Sequence, residues 1–284
     1  MYSPSYVSSE IGGVEDRIFK VISKSLNIMS KLHIRGLTHS FNLQNTKLNV
    51  LEDLNFKVNE AEFIALLGPS GCGKSTLFNI IAGLIPPESG AMFLNGEYVD
   101  SHTDAFGYMQ QKDLLLPWRT VLKNVLIGPE IRKDTEEYVR SKALSLLSQL
   151  GLQGFENSYP NQLSGGMRQR VALVRTLLCN KEFLLLDEPF GALDAMTRTV
   201  MQTILLEMWG KKKQTVLLIT HDVEEALCLA DRIIVLTPRP ASIKSKIDIN
   251  LERPRCTTDI SYINLKKEII DILTLDTNQV FSMN

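Results

Sequence analysis

The stretch "FIALLGPSGCGKSTLFNIIAGL", residues 63–84, decides the fold. Its first five residues are wholly apolar and too few for a helix, which predicts a strand covered on both faces. "STLFNIIAGL" carries apolar residues at helical spacing and stops before Pro86-Pro87. Between them "GPSGCGKS" (68–75) fits G-x-x-x-x-G-K-[ST] in full, in the strand–loop–helix setting that gives this pattern its meaning. The glycines let backbone N–H groups turn inward around phosphate oxygens. Lys74 brings a positive charge to the β- and γ-phosphates, and the Ser75 hydroxyl can coordinate Mg²⁺. Gly68, Pro69, Ser70, Gly71, Cys72, Gly73, Lys74, Ser75 and Thr76 therefore form a predicted cradle for a nucleoside triphosphate.

Toward the carboxyl end, "FLLLD" (183–187), "TVLLIT" (215–220) and "RIIVL" (232–236) alternate with helical stretches, the pattern of a parallel sheet built from βαβ units. Toward the amino end, residues 31–62 read as short strands. In "LNFKV", Leu54, Phe56 and Val58 alternate with polar residues, and a second strand pair is expected around "AMFLNGEYV". Residues 112–180 are mostly helical and include "TEEYVRSKALSLLSQLGL", an amphipathic helix closed by Gly151. The fold class is α/β, with a core interrupted by a helical lobe. Residues 1–30 form an appendage whose Ser/Gly-rich start predicts disorder. Val14, Ile18, Val21, Ile22 and Leu26 allow a short amphipathic helix there, and Met29 is an alternative start of the chain.

Composition excludes several classes. The net charge of −1 gives no basic field for nucleic acid, and "KKK" at 211–213 reads as a solvated helix end. Cys72, Cys179, Cys228 and Cys256 have neither disulfide-scaffold nor zinc spacing, which predicts a reducing cytosolic setting. No apolar run approaches the ~20 residues of a membrane helix, and the start lacks the apolar core of a signal peptide. If the protein serves a membrane, another chain spans it.

Further chemistry gathers at strand ends. "LLLDEP" (184–189) places Asp187 beside the metal and Glu188 where it can orient and deprotonate an attacking water. His221 follows "TVLLIT" at the carboxyl end of a parallel strand, where ligands bind in such sheets, and is expected near the γ-phosphate and the water. Gln111 ends the predicted strand "AFGYMQQ" and is expected to touch the metal or the water, with Gln110 as the competing position. A second anion site opens "QLSGGMRQRVALVRTLL" (162–178), where a serine and two glycines start a helix with free N–H groups.

Glycine loop, glutamine, "LSGGM", "LLLDEP", "GALD" and histidine, in that order over residues 31–255, resemble the nucleotide-binding subunit of an ATP-binding cassette (ABC) transporter. The resemblance implies a P-loop NTPase (RecA-like) core with an antiparallel β subdomain, an inserted α-helical subdomain at about 112–180, and a helical tail at 256–284. It implies ATP and Mg²⁺, with Ser75, Gln111 and Asp187 on the metal and with Lys74, Gln111, Glu188 and His221 in catalysis. It also answers why one chain carries two phosphate cradles. Ser164, Gly165 and Gly166 match positions that cap ATP held by a second subunit in a head-to-tail dimer, identical or paired, and Asp194 matches one that reaches across the same seam. Phe41 matches an adenine-stacking aromatic, the alternative being a buried strand residue. Gln110 departs from the aromatic or aliphatic residue usual there, and Gln111 is taken as the family's glutamine because it lies seven residues before Trp118.

"LLLPWRTVLKNV" and "HDVEEALCLADRIIVLTPRPASI" resemble the nitrate/sulfonate/taurine import group, which also includes carriers of pyrimidine vitamin precursors. Its members imply a peripheral subunit on the cytoplasmic face, partnered by a separate permease and indirectly by a substrate-binding protein. A soluble P-loop ATPase or small-molecule kinase is the competing reading, and it leaves "LSGGM" without a task.

Overall fold

The computed structural model describes residues 30–43, 46–99, 104–134 and 137–281, with side chains through 274. The disorder and short helix expected over residues 1–29 lie outside the described residues. A four-stranded antiparallel sheet comprises β1 (Leu32–Leu43), β2 (Thr46–Val58), β4 (Ser89–Leu94) and β5 (Glu97–Val99), in the order β2-β1-β4-β5. The larger sheet comprises β3 (Phe63–Leu67), β6 (Phe106–Met109), β7 (Phe183–Asp187), β8 (Thr215–Ile219), β9 (Arg232–Leu236) and β10 (Ile243–Asp248). Its order is β10-β9-β3-β8-β7-β6, with β10 antiparallel to β9 and every other neighbouring pair parallel.

The central strands of this sheet are near-continuous apolar runs because each serves two cores. Side chains alternate faces along a strand. Phe63, Ala65 and Leu67 of β3 enter one core together with Leu184, Leu186, Val216 and Leu218. Ile64 and Leu66 enter the other, with Phe183, Leu185, Leu217 and Ile219, and there they meet Leu54, Phe56 and Val58 of the small sheet. Every residue of β3, β7 and β8 is buried. A polar residue in any of these runs would face a core whichever way it pointed.

The helices are α1 (Lys74–Ile81), α2 (Val121–Val125), α3 (Ile127–Ile131), α4 (Glu137–Gln149), α5 (Gly165–Leu178), α6 (Ala195–Lys212), α7 (Val223–Leu229) and α8 (Ile260–Phe281). α1 begins at Lys74, inside the phosphate motif. Helices α2 to α5 form a helical lobe, with Val121, Val125, Leu147, Val171 and Val174 buried in a core continuous with one face of the large sheet. That continuity ties the lobe to the sheet through packing as well as through the chain. Among the described residues no helix is long and apolar enough to cross a membrane.

Candidate functional site

Four strands deliver their carboxyl ends to one edge of the large sheet: β3 to the 68–73 loop, β6 to Gln111, β7 to Asp187 and Glu188, and β8 to His221. This is where open α/β sheets bind ligands. A cavity of about 320 Å³ lies there, lined by Ser70, Gly71, Gly73, Lys74, Ser75, Thr76, Gln111 and Glu188, with Phe41, Leu48, Val50, Ile219 and Arg239 completing the wall. Phe41 is 40% exposed, so the buried-strand alternative is excluded.

Within the loop the predicted residues divide. Gly68, Pro69 and Cys72 do not line the cavity. The Cys72 side chain is buried in the small-sheet core, so any part it has in the cradle falls to its backbone N–H. Lys74 Nζ donates to the carbonyls of Gly68 (2.8 Å) and Pro69 (2.9 Å), closing the loop on itself. Gly73 has φ +125°, and a Cβ there would lie 2.7 Å from Val50 Cγ1. Only glycine satisfies both demands.

Ser75 bonds the Asp187 carboxyl. Asp187 is 2% exposed, and burial pushes its carboxyl above the usual range, with the neighbouring Glu188 charge adding to the rise and the Ser75 and Lys74 contributions opposing it. The Ser75 hydroxyl, the Asp187 carboxylate and the Gln111 amide oxygen are hard donors that fit a Mg²⁺ ion.

Glu188 sits where three elements meet. Its backbone has φ +48°, left-handed for a non-glycine residue. The surroundings impose that conformation. Its N–H donates to Ile219 O of β8 at 2.9 Å, and its carbonyl accepts from Gln169 Nε2 of α5 at 2.7 Å. Strain of about 1–3 kcal/mol held by such constraints is characteristic of functional positions. Gln111 Nε2 donates to Glu188 Oε2 at 3.2 Å, and His221 Nδ1 lies 3.4 Å from Glu188 Oε1. The structure thus brings Gln111, Glu188 and His221 together, and Gln111, not Gln110, makes the contact.

Ser164, Gly165, Gly166 and Asp194 lie outside this cavity. Ser164 caps α5, its hydroxyl accepting from Met167 N at 3.2 Å. Asp194 caps α6 through Thr197 N at 2.9 Å and Thr197 Oγ1 at 2.7 Å, which holds its carboxyl below the usual range. The sequence reading missed Arg239 on the cavity wall and Gln169 behind Glu188. For Arg239 the available signal was its place in the loop after β9, at the same sheet edge.

Comparison with known proteins agrees with this geometry. The family described as ABC transporter matches residues 51–191. An uncharacterized ABC transporter ATP-binding protein of Methanocaldococcus jannaschii is 45% identical over 252 residues, covering 89% of this chain and 94% of the relative. The aliphatic sulfonates import ATP-binding protein SsuB of Bacillus cereus is 40% identical over 237 residues (84% and 93%), and the taurine import ATP-binding protein TauB of Pelagibacter ubique 38% over 260 (89% and 94%). Among solved structures, the dimeric bacterial ABC transporter cassette MJ0796 aligns with TM-score 0.70 and 30% identity over 78% of this chain and all of that one. A post-hydrolysis dimer of the same cassette, bound to ADP and Pi, matches equally. The chain belongs to the ABC transporter family, as one of its ATP-binding, ATP-hydrolysing subunits.

Proposed function

We propose that this chain powers an importer of a small sulfonate-class anion, working as a head-to-tail pair on the cytoplasmic face of the membrane beneath a separate permease. One observation carries the paired arrangement. Ser164 and Gly165 are exposed at a helix start and lie away from the chain's own phosphate cavity. Free N–H groups at a helix start form an anion site. The phosphates held by the 68–76 loop of a second copy supply that anion.

In each site the backbone of 70–76 wraps the ATP phosphates, and Lys74 exchanges the carbonyls of Gly68 and Pro69 for phosphate oxygens. Phe41 stacks on adenine. Glu188 takes the proton of the water attacking the γ-phosphate, while Gln111 and His221, one beside each carboxylate oxygen, fix its direction. Ser75, Asp187 and Gln111 would hold Mg²⁺, which when bound supplies neutralising charge for the β- and γ-oxygens.

Coupling to the permease follows from how the Gln111 segment is anchored. Asp113 pairs with Arg168 of α5 at 2.9 Å, and Arg175 of α5 donates to the carbonyls of Asp113 (2.7 Å) and Leu114 (2.8 Å). The segment from Gln111 therefore moves with the helix that begins at Ser164. It presents Leu114 and Trp118, 49% and 72% exposed, as an apolar contact for a permease. The names of the sulfonate and taurine relatives support the cargo class, and a periplasmic or surface binding protein would deliver it.

The test mixes two variants, Lys74→Ala and Ser164→Arg, each nearly inactive alone. In a head-to-tail heterodimer one site collects both lesions and the other is intact. Hydrolysis should return to about half per dimer if the sites act independently. Heterodimers that form and stay inactive, where one intact site is known to suffice, would sink the shared-site reading.

A further inference from the structure

Two adjacent glutamates, Glu224 and Glu225, open α7, and the fold treats them oppositely. Glu224 is exposed and pairs with Lys266 of α8. Glu225 is 5% exposed, on a helix whose Ala226, Leu227 and Leu229 are also buried, and among the described residues its Oε1 has no hydrogen-bond partner. A carboxyl in such a place costs stability that an apolar side chain would not. The hydroxyl of Thr220 interacts with its carboxyl. That hydroxyl also accepts the N–H of Asp222 at 3.0 Å, so it closes the turn carrying His221. Asp222 is held in turn. Its Oδ1 caps α7 through Glu224 N (2.8 Å) and Glu225 N (3.3 Å), and its Oδ2 pairs with Arg198 Nη1 at 2.9 Å. Arg198 Nη2 donates to Leu193 O at 3.3 Å, next to Asp194. His221, 62% exposed at its side chain, gains its placement from these two neighbours.

We propose that Glu225 is a positioning residue for hydrolysis: through Thr220 its buried carboxyl holds the 220–222 turn so that His221 meets Glu188. This rests on the hydrolytic reading of Glu188 and His221 given above. Burial, with the charges of Asp222 and Glu188 beside it, raises the Glu225 carboxyl to about 8, against the Thr220 bond and Arg198 of α6. The other groups facing this region are Cys228 on α7 and, from α8, Tyr262 and the Lys266 already paired with Glu224. Glu225 is therefore neutral at pH 7, and a glutamine can take its place in shape and hydrogen bonding. Above pH 8 its ionisation sets a third negative charge beside Asp222 and Glu188, and the turn loosens.

The experiment measures kcat, KM and nucleotide affinity of the full chain for Glu225→Ala, Glu225→Gln and Thr220→Val, with Glu188→Gln and His221→Ala as references. Glu225→Ala and Thr220→Val should lower kcat roughly tenfold while nucleotide affinity stays within about twofold, since the cradle is untouched. Glu225→Gln should keep most of kcat at pH 7 and decline less than wild type between pH 7.5 and 9. Unchanged kcat in a folded Glu225→Ala overturns the proposal; where that variant does not fold, Thr220→Val at full kcat does so. Glutamine as impaired as alanine at pH 7 also overturns it, as does an alkaline decline equal to wild type. If Glu188→Gln and His221→Ala themselves hydrolyse normally, the underlying site reading fails instead.

Discussion

Gln169 Nε2 donates to the backbone carbonyl of Glu188 at 2.7 Å, and the same amide's oxygen accepts the Ala192 N–H at 2.8 Å. One side chain of α5 thus brackets the segment that carries Glu188, the proposed base, and leads to Asp194. The helix that begins at Ser164 and the left-handed backbone of Glu188 are one mechanical unit.

Gln169→Leu should break that unit while keeping the volume. It leaves the Glu188 carbonyl and the Ala192 N–H without their partner, which costs about 1–3 kcal/mol. Thermal melting should register that loss. Turnover should fall more than nucleotide affinity, because Glu188 loses its orientation and the loop at 68–76 does not. A variant that melts lower yet turns over normally would show that Gln169 serves stability alone.

Glu188→Gln should retain ATP binding and lose about 10²–10⁴-fold in turnover, because only the proton acceptor is removed. Glutamine still accepts a bond from Gln111 and leaves Ser75 and Asp187 in place. ATP-bound dimers should accumulate and appear at doubled mass on gel filtration. Near-normal hydrolysis would remove Glu188 from the role of base.

The centre of the large sheet was readable because β3 is wholly apolar and β7, β8 and β9 are apolar but for one end residue, and each such run implies cover on both faces. The phosphate loop was readable because glycine spacing and a lysine state a backbone requirement in local sequence. Gln169, Arg198 and Glu225 were not readable. Each is an ordinary polar residue on an amphipathic helix, and its importance comes from a partner 19 or more residues away for Gln169, or 24 for Arg198. Glu225 differs again: beside exposed Glu224, nothing local says which of the two turns inward. Phe41 was ambiguous for the opposite reason, since a strand aromatic is buried or exposed according to the sheet that covers it.

Glu225 also predicts a pH dependence of folding. Its carboxyl rises from an ordinary value of 4.5 to about 8 in the folded chain. Between those values the unfolded chain has released the proton and the folded chain still holds it. Stability is therefore fullest below 4.5, falls as pH rises toward 8, and loses no more from this group beyond it. Glu225→Gln removes that contribution, so its stability should gain on wild type from about pH 5 to about pH 8. Urea unfolding at both pH values measures the gain. An equal difference at the two would place the Glu225 proton elsewhere.

The two glycines of "LSGGM" make different demands. A Cβ on Gly166 would sit 3.2 Å from Ala192 O and from Leu193 Cδ2, a tight fit in which the 192–193 segment must give by a few tenths of an ångström. A Cβ on Gly165 would find its nearest atom beyond the local backbone, Arg168 Nη2, at 3.9 Å. Among the described residues no atom outside the local backbone crowds a side chain there. Gly165→Ala should therefore melt close to wild type, whereas Gly166→Ala presses on Ala192 O and Leu193 and should be the more disturbed of the two. Turnover should fall in both, for separate reasons. In Gly166→Ala the damage reaches Glu188 through the segment that Gln169 brackets. In the proposed head-to-tail pair, bulk added at Gly165 would meet the phosphates of the opposite copy, so the loss should deepen from Gly165→Ala to Gly165→Leu while both remain stably folded. Full hydrolysis in Gly165→Leu would mean that no partner nucleotide approaches this helix, and the seam would lie on another face.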